Sequence, residues 1–251
     1  MHHPSLELLL HRQGMLTYGV TLRNEGRWTA RGWTLHPADD VSADQVQYCR
    51  SALARILGFD PAHMVVPQQV HGTAIADIGL APSESASIIA DAVVTTVPGV
   101  LLCISLADCC GVLLWDQNHT MVAAIHAGWR GTAADIVGRC IEHITTQYGV
   151  DPRQMHAWLS PCASAERYVV RHDVASRFPG YVHNTPAGGY LLDIPRAIHD
   201  QLLTAGLQPE NIAHAGICTI GDKRFHSYRR DGSRSGRMAA FIGIAEGAEP
   251  K

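Results

Sequence analysis

Short, continuous apolar runs dominate the middle of the chain. Residues 92–96, 100–106, 111–115 and 121–125 are apolar and rich in β-branched side chains, and turn sequences such as Pro98-Gly99 separate them. Runs of this length and composition are typical of strands that are buried on both faces. The pattern therefore predicts four successive strands of a buried sheet.

Apolar residues recur at helical spacing in three other segments. Ser42 opens a capping box, and the apolar stripe from Val46 to Leu57 stops at Gly58. A second stripe runs from Ala133 to Ile144 and ends near Gly149, and a third helix is predicted over 195–205. The helical spacing of the apolar residues and the glycine after each segment indicate amphipathic helices packed on a sheet.

Further strands are predicted over 64–66, 74–78, 158–159, 190–194 and 236–244, with strands and turns in the first forty residues. Residues 173–178 are predicted to form a short helix, and 82–85 an exposed loop. Strands and helices alternate irregularly, without a repeat or a linker-like break. We predict a single mixed α+β domain over 1–251, with 246–251 as a polar tail.

Composition narrows the possible partners. The 251 residues are 46% apolar, carry a formal net charge of −3, and show scattered Lys and Arg. Nucleic acid and membrane surfaces are therefore not expected as partners, and the absence of a signal-peptide core or a spanning apolar stretch leads us to expect a cytoplasmic protein. Seven cysteines at irregular spacing, without a Cys-x-x-Cys pair, favour reduced thiols over a disulfide framework.

Three candidate metal ligands follow predicted strands. His71, Cys109 and His126 each stand at a strand end next to glycine or another small residue. One thiolate and two imidazoles suit Zn²⁺ and leave a fourth position open, as in catalytic zinc sites. Structural histidines and a core cysteine are the alternative. Cys110 competes with Cys109, but adjacent strand residues point to opposite faces, so one of the two is expected in the core.

Two arginine-containing segments are candidates for anion binding. Arg130 lies in a glycine-rich turn between a predicted strand and a helix, where it could bind a phosphate or lie on the surface. Tyr228, Arg229 and Arg230 form a polar cluster that could bind a phosphate or a carboxylate. A basic surface loop that pairs with Asp231 explains the second segment equally well.

Six separated motifs stand in the order of a known family. They are Gln69-Val70-His71-Gly72, Asp91-Ala92 with Thr95, Ala107-Asp108-Cys109, His126-Ala127-Gly128-Trp129-Arg130-Gly131, Cys218-Thr219, and Ser227-Tyr228-Arg229-Arg230-Asp231-Gly232 with Gly236-Arg237-Met238. From about Arg50 nearly to its end, the chain resembles the laccase-domain family. That family is also called the multi-copper polyphenol oxidoreductase family, and its members are largely described as purine nucleoside phosphorylases. Residues 1–40 match it poorly.

The resemblance implies a fold, a metal and a reaction. It implies one α+β domain with a layered α/β/β/α arrangement of mixed sheets, and Zn²⁺ on His71, Cys109 and His126. The implied reaction is phosphorolysis of adenosine, inosine and methylthioadenosine to the base and ribose 1-phosphate. Adenosine deamination is implied as a second activity, in which zinc-activated water attacks C6 of the purine and Asp108 is the candidate for managing the proton. The candidates for binding phosphate or substrate are Arg50, Gln69, Arg130, Tyr228, Arg229 and Arg230.

The chain departs from the family pattern at three places. Cys49 stands where Asn is usual before Arg50, the segment ending in Tyr168-Val169-Val170 lacks the usual Glu, and His226 replaces a usual Phe. These changes leave the metal ligands intact and bear on substrate preference.

Three other functions stay open from the residues. A copper-dependent polyphenol oxidase, with Cu²⁺ in place of Zn²⁺, would need many converging histidines, and the chain has no His-x-His pair. A metal-free hydrolase would use Cys109 as nucleophile and His126 as base. A non-catalytic protein would bind a nucleotide-like or cell-wall precursor ligand. The sequence leaves the oligomeric state open.

Overall fold

Two mixed β-sheets face each other in the computed structural model, which describes residues 5–26, 28–79 and 88–247. The strands are β1 (Leu8–Gln13), β2 (Leu16–Thr21), β3 (Met64–Val65), β4 (Ile75–Asp77), β5 (Ala92–Thr95), β6 (Leu101–Leu106), β7 (Cys110–Asp116), β8 (Val122–Ala127), β9 (Met155–Leu159), β10 (Val169–Val170), β11 (Val182–Asn184), β12 (Tyr190–Leu192), β13 (Ile212–His214) and β14 (Met238–Ile244). The helices are α1 (Ala43–Leu57), α2 (Trp129–Ala133), α3 (Ile136–Tyr148), α4 (His172–Ala175), α5 (Ile194–Thr204) and α6 (Tyr228–Asp231).

Each large sheet combines antiparallel and parallel pairs. The five-stranded sheet has the order β1-β2-β14-β6-β3, and only its β6–β3 pair is parallel. The six-stranded sheet has the order β13-β9-β7-β8-β5-β4, with parallel pairs at both edges. A small third sheet joins β10, β12 and β11. Mixed sheets of this kind confirm the α+β prediction.

Three apolar cores define four layers. The first core lies between α1 and the five-stranded sheet, and includes Leu53 and Phe241. The second fills the space between the two sheets, and includes Ile104 and Leu113. The third packs α3 and α5 on the outer face of the six-stranded sheet. The predicted α/β/β/α layering is therefore confirmed, and its extensive apolar burial is the main stabilising contribution.

Helix ends follow the capping signals in the sequence. Ser42 and Gln45 form the reciprocal capping box of α1, and Gly58 ends that helix in the left-handed region at φ 90°. The second predicted helix is interrupted, because Asp135 adopts φ 57° and caps α3 through a hydrogen bond from the Gly138 amide. Ile56 lies within the apolar stripe from Val46 to Leu57, but its side chain is 40% exposed. Among the described residues, no helix combines the length and apolarity needed to cross a membrane.

The central apolar runs do not form one sheet. β5, β7 and β8 belong to the six-stranded sheet, whereas β6 lies in the five-stranded sheet between β14 and β3. The prediction of a single sheet was wrong because β6 and β7 are joined by a turn at 107–109 that carries the chain from one sheet to the other. The strand predicted over 74–78 forms β4, which pairs in parallel with β5 at one edge of the six-stranded sheet. The predicted loop at 82–85 lies outside the described residues.

The β7–β8 hairpin sets the position of the functional residues. In its register Cys110 faces Ala127 and Gly111 faces His126. Cys109, directly before β7, and His126, near the end of β8, therefore lie at the same end of the hairpin. β5 pairs with the other side of β8 and begins directly after Asp91.

Candidate active site

His71, Cys109 and His126 converge from three separate segments. Their nearest ligand atoms all lie within 4.8 Å of one another. The rings of His71 and His126 meet edge to face, with centroids 4.7 Å apart and an interplanar angle of 81°. Cys110 is fully buried among apolar side chains, so Cys109 is the thiol that reaches the site. Within the described part of the chain, this is the one group of three or more metal-ligating side chains that share such a position.

Asp91 organises both histidines. Its buried carboxylate accepts the backbone amides of Val70, His71 and Gly72 at 3.2, 2.9 and 2.7 Å, which stabilises the turn where His71 has φ 59°. The same carboxylate lies 2.8 Å from Nδ1 of His126. Burial alone would raise the pKa of Asp91. The hydrogen bonds from His126 and Gly72 outweigh burial, so the pKa of this carboxyl lies below its usual value. The ionised Asp91 therefore accepts from Nδ1 and leaves Nε2 of His126 available to a ligand.

The thiol and imidazole of the group stabilise each other's charged forms. Burial alone would raise the pKa of Cys109, but the charge of His126 and hydrogen bonds from His126 and His71 lower it to about 6. Burial would lower the pKa of His126, but the charge of Cys109 and the hydrogen bond to Asp91 raise it to about 9. A thiolate is thus favoured at neutral pH, which is the form that binds a metal.

The donor set fits zinc. Tetrahedral zinc with Zn–N and Zn–S bonds of roughly 2.1 and 2.3 Å needs ligand atoms about 3.5 Å apart, compatible with a group spanning no more than 4.8 Å. Three protein donors also leave a fourth position, as in catalytic zinc sites. The hydrogen bond from His126 to Asp91 is the carboxylate–histidine arrangement that orients metal-binding imidazoles.

Gly128 allows the three side chains to approach. A Cβ atom at this position would lie 2.9 Å from Sγ of Cys109 and 3.2 Å from Cδ2 of His71. Ordinary side-chain contacts begin at about 3.4 Å, so any larger residue would push the ligands apart. The glycine directly after β8 is therefore required by the close approach.

The group opens into a cavity of about 950 Å³, a volume typical of small-molecule sites. Five of the six predicted substrate-binding residues line it, and so does Asp108. The five are Arg50, Gln69, Arg130, Tyr228 and Arg229.

Arg230 does not line this cavity, in contrast to the sequence prediction. Its guanidinium donates to the carbonyls of Thr219 and Phe225 at 2.7 and 2.8 Å and to both carboxylate oxygens of Asp231. Because its donors are occupied in this way, Arg230 stabilises the loop that carries Tyr228 and Arg229. The prediction that Arg230 binds phosphate is therefore corrected, because its guanidinium forms hydrogen bonds within the protein that stabilise the cavity wall.

Gln69 and Asp108 are held in the cavity wall by hydrogen bonds to neighbouring residues. The amide of Gln69 donates to the Ser105 carbonyl at 3.0 Å and accepts from the Ser105 amide at 2.7 Å, which secures the wall near the end of β6. Asp108, at φ 86°, accepts from the Thr219 hydroxyl at 2.7 Å and from the Arg229 amide at 2.6 Å. Each carboxylate oxygen of Asp108 retains a further acceptor site.

Aromatic side chains accompany the exposed arginines. The Arg130 guanidinium lies 4.3 Å from the ring centroid of Trp129, and Arg229 lies 5.0 Å from that of Tyr168. Such stacking holds a guanidinium without using its charge in an ion pair. Trp129 and Tyr168 both line the cavity, on the side of the third core.

Residues outside the predicted site set also line the cavity, among them His36, Tyr168 and Arg237. Arg237 belongs to the last of the six family motifs, so its position in that motif was an available signal. His36 lies in the poorly matched first forty residues, where no sequence pattern indicates a site. Asp91 was part of a motif, but its link to both histidines depends on tertiary contacts.

The fold and the site together define the class of protein. The sequence matches the family described as multi-copper polyphenol oxidoreductase laccase over residues 18–245, and the chain belongs to that family. It is 35% identical to a purine nucleoside phosphorylase of Corynebacterium glutamicum over 218 residues, 85% of this chain and 86% of the relative. It is also 32% identical to a purine nucleoside phosphorylase of Bacteroides thetaiotaomicron over 249 residues, 91% and 92% of the two chains.

Solved structures share the fold. The hypothetical protein YfiH of Bacillus licheniformis superposes with a TM-score of 0.88 at 25% identity, covering 96% of this chain and 97% of that one. YlmD of Geobacillus stearothermophilus gives 0.86 at 26% identity, covering 96% and 100%. The resemblance found in the sequence is therefore confirmed at the level of family and fold.

Proposed function

We propose that this protein is a metal-dependent purine nucleoside phosphorylase. It would cleave adenosine, inosine and methylthioadenosine with inorganic phosphate, giving the base and ribose 1-phosphate or its methylthio analogue. The observation that carries the proposal is that the His71–Cys109–His126 group opens into the same cavity as several arginines and aromatic rings. Relatives of similar length that are named purine nucleoside phosphorylases support the same reaction.

The cavity supplies what phosphorolysis needs. A phosphate oxygen forms a bond to C1′ while the C1′–N9 bond breaks and its electron pair passes to the purine. The ribose becomes oxocarbenium-like during this exchange, so catalysis depends on holding the phosphate against C1′. Arg50 and Arg229 both line the cavity and can attract the anion. Tyr168 and Trp129 offer aromatic surface to the purine.

His71, Cys109 and His126 would hold the metal, for which we propose zinc on the chemistry of the donor set. Bound zinc would supply Lewis-acid polarisation of an oxygen at its open position. Asp91 would keep the two histidines oriented for that role, through Nδ1 of His126 and the backbone turn at His71. The copper-oxidase alternative finds less support, because no second cluster of metal ligands occurs among the described residues.

A phosphate-dependence assay on metal-analysed protein tests the proposal. We expect about one zinc per chain, and release of adenine or hypoxanthine from nucleosides only when phosphate is present, with ribose 1-phosphate as co-product. Cys109→Ala should abolish both zinc and base release. Release that is independent of phosphate would indicate a hydrolase, and no release despite bound zinc would favour a binding protein.

We also propose adenosine deamination as a second activity of this site. Asp108 lines the cavity next to Cys109, and the Thr219 hydroxyl and the Arg229 amide fix its carboxylate in place. These contacts support our proposal that Asp108 holds or moves a proton at a carboxylate oxygen. Asp108→Asn should reduce inosine formation from adenosine without phosphate by about 100-fold, as expected for loss of a general acid–base group. Equal deamination by the variant and the wild type would exclude this role.

A further inference from the structure

The cavity reaches the metal-ligand group from two chemically different sides. Arg50 belongs to α1, which packs on the outer face of the five-stranded sheet. Trp129 and Tyr168 pack against the core on the outer face of the six-stranded sheet. Because these two cores lie on opposite sides of the paired sheets, Arg50 and the two aromatic residues line the cavity from opposite sides.

Arg50 is a half-buried cation that is held in place by a neutral partner. Its Nε and Nη2 donate to the Leu35 carbonyl at 3.1 and 2.9 Å, which fixes the plane of the guanidinium. Nη1 has no hydrogen-bond acceptor among the residues that the structure describes. Within the described ranges, no carboxylate lies within ion-pair distance of Arg50. Its nearby thiol, Cys103, is fully buried, and burial raises the pKa of that thiol, so it carries no compensating charge.

Arg237 is a second half-buried cation of the same kind. Its Nη1 donates to the carbonyls of Ser235 and Gly236 at 3.0 and 2.9 Å, and Nε and Nη2 have no protein acceptor among the described residues. Arg237 lines the same cavity as His71, Cys109 and His126, and its guanidinium lies 5.6 Å from the ring centroid of Tyr228. It too has no carboxylate partner within ion-pair distance in the part of the chain that the structure describes.

One segment, residues 34–36, connects both arginines. Leu35 accepts from Arg50 through its carbonyl, and its amide donates to the Arg237 carbonyl at 3.0 Å. The Thr34 hydroxyl accepts the Arg237 amide at 2.9 Å. His36 follows directly and lines the cavity, where burial and the charges of Arg50 and Arg237 lower its pKa to about 4. At neutral pH it is therefore an uncharged N–H donor next to two cations.

Two half-buried guanidinium groups that have no ion-pair partner among the described residues are costly, because no salt bridge repays the partial desolvation of each group. The geometry points to Arg50, Arg237 and His36 as the subsite that binds the phosphate co-substrate. This assignment rests on the proposed function for the identity of the anion. Guanidinium groups with fixed planes and free N–H donors match the tetrahedral oxygens of phosphate.

The arrangement also explains how the reaction would be oriented. Phosphate at Arg50 and Arg237 would approach C1′ from the side opposite the purine at Tyr168 and Trp129. The new C1′–O bond would then form on one face as the C1′–N9 bond breaks on the other, with its electron pair leaving on the purine. Arg229, which lies over the Tyr168 ring, would contact the nucleoside.

Binding of inorganic phosphate to the metal-loaded protein, measured by calorimetry without nucleoside, tests the subsite. Arg50→Gln and Arg237→Gln should each weaken phosphate binding by about tenfold or more, the range for one charge-assisted hydrogen bond. The matched control is Arg12→Gln, which removes one exposed charge from β1 and should leave phosphate binding unchanged. Wild-type phosphate affinity in both folded Gln variants would overturn the inference.

A second measurement does not depend on the folding of a variant. In NMR spectra of the wild-type protein, the Nε–H resonances of Arg50 and Arg237 should shift on adding phosphate, and that of Arg12 should not. Unchanged Arg50 and Arg237 resonances at saturating phosphate would refute the subsite.

The outcome separates the two proposals. If phosphate binding depends on Arg50 and Arg237 but no base is released, the anion subsite stands and the phosphorylase function fails. If base is released with phosphate while both Gln variants keep the wild-type KM for phosphate, the function stands and the subsite is elsewhere.

Discussion

Asp91 lies 2.8 Å from Nδ1 of His126 while it accepts the backbone amide of His71 at 2.9 Å. One carboxylate therefore fixes the ring of one candidate ligand and the backbone turn of another. These contacts connect segments that are 20 and 35 residues apart in the chain. The orientation of both candidate histidine ligands therefore depends on the side chain of Asp91.

Asp91→Asn should weaken metal binding by about 10- to 100-fold, because an amide NH₂ facing Nδ1 of His126 disfavours the tautomer that leaves Nε2 free. Competition with a chromogenic chelator measures the affinity. Asp77→Asn is a matched control, since Asp77 also contacts a histidine, His143 at 2.9 Å, away from the site. Equal zinc affinity of the Asp91 variant and the control would contradict this role.

On the proposed function, Cys109→Ala should lose zinc and activity while the fold persists, because its thiol would be a metal ligand and Cys109 lies only at the edge of the second core. Cys110→Ala should keep both and lose about 1 kcal/mol of stability, since its thiol is buried among apolar side chains. Metal analysis and thermal unfolding of the two variants make the comparison. Purified protein without zinc, in which Cys109 is rapidly alkylated, would instead favour the Cys–His hydrolase.

Gly128→Ala should reduce activity by about 100-fold, the cost of displacing reacting groups by about 1 Å. Its Cβ would lie 2.9 Å from Sγ of Cys109 and force the ligand group apart. Gly79→Ala is the control, because a Cβ atom there meets no atom of the described residues within 4 Å. The prediction fails if the Gly128 variant retains wild-type kcat and zinc content.

Buried His226 should make the protein less stable in mild acid. Burial lowers its pKa to about 4, against 6.5 for the unperturbed side chain. Between these pH values the unfolded chain binds a proton that the folded protein excludes. The free energy of unfolding should therefore fall as the pH decreases through this window, by at most about 1.4 kcal/mol per pH unit.

Denaturant unfolding of His226→Phe at pH 7.5 and pH 5 measures this effect. The variant loses the hydrogen bond from Nε2 to the Trp33 carbonyl at 2.7 Å, so it should be less stable at pH 7.5 but lose less stability at pH 5. His183→Asn, an exposed position on β11, should keep the wild-type difference between the two pH values. A Phe variant with that same difference would show that His226 is not the titrating group.

The sequence predicted elements better than their assembly. The capping box at Ser42 and the stop at Gly58 are local signals, and they bounded α1 correctly. Apolar runs of two different sheets look alike along the chain, so the separation of β6 from β7 could not be read from them. Arg229 and Arg230 are adjacent and chemically identical. Only the path of the loop determines that Arg229 lines the cavity while Arg230 forms hydrogen bonds within the protein. The subsite at His36 depends on contacts between segments about 200 residues apart.

The candidate metal site can form only if β7 and β8 pair in the observed register. Gly111 faces His126 across this pair, so a slip of one residue would turn Ala127 and not His126 toward the end where Cys109 lies. Side chains alternate between the faces of a strand, so such a slip would also bury the imidazole in the apolar layer. Molecules with this shifted register would still bury much of the same apolar surface, but His71, Cys109 and His126 would not come together. Metal uptake would therefore distinguish correctly paired molecules from compact, mispaired ones.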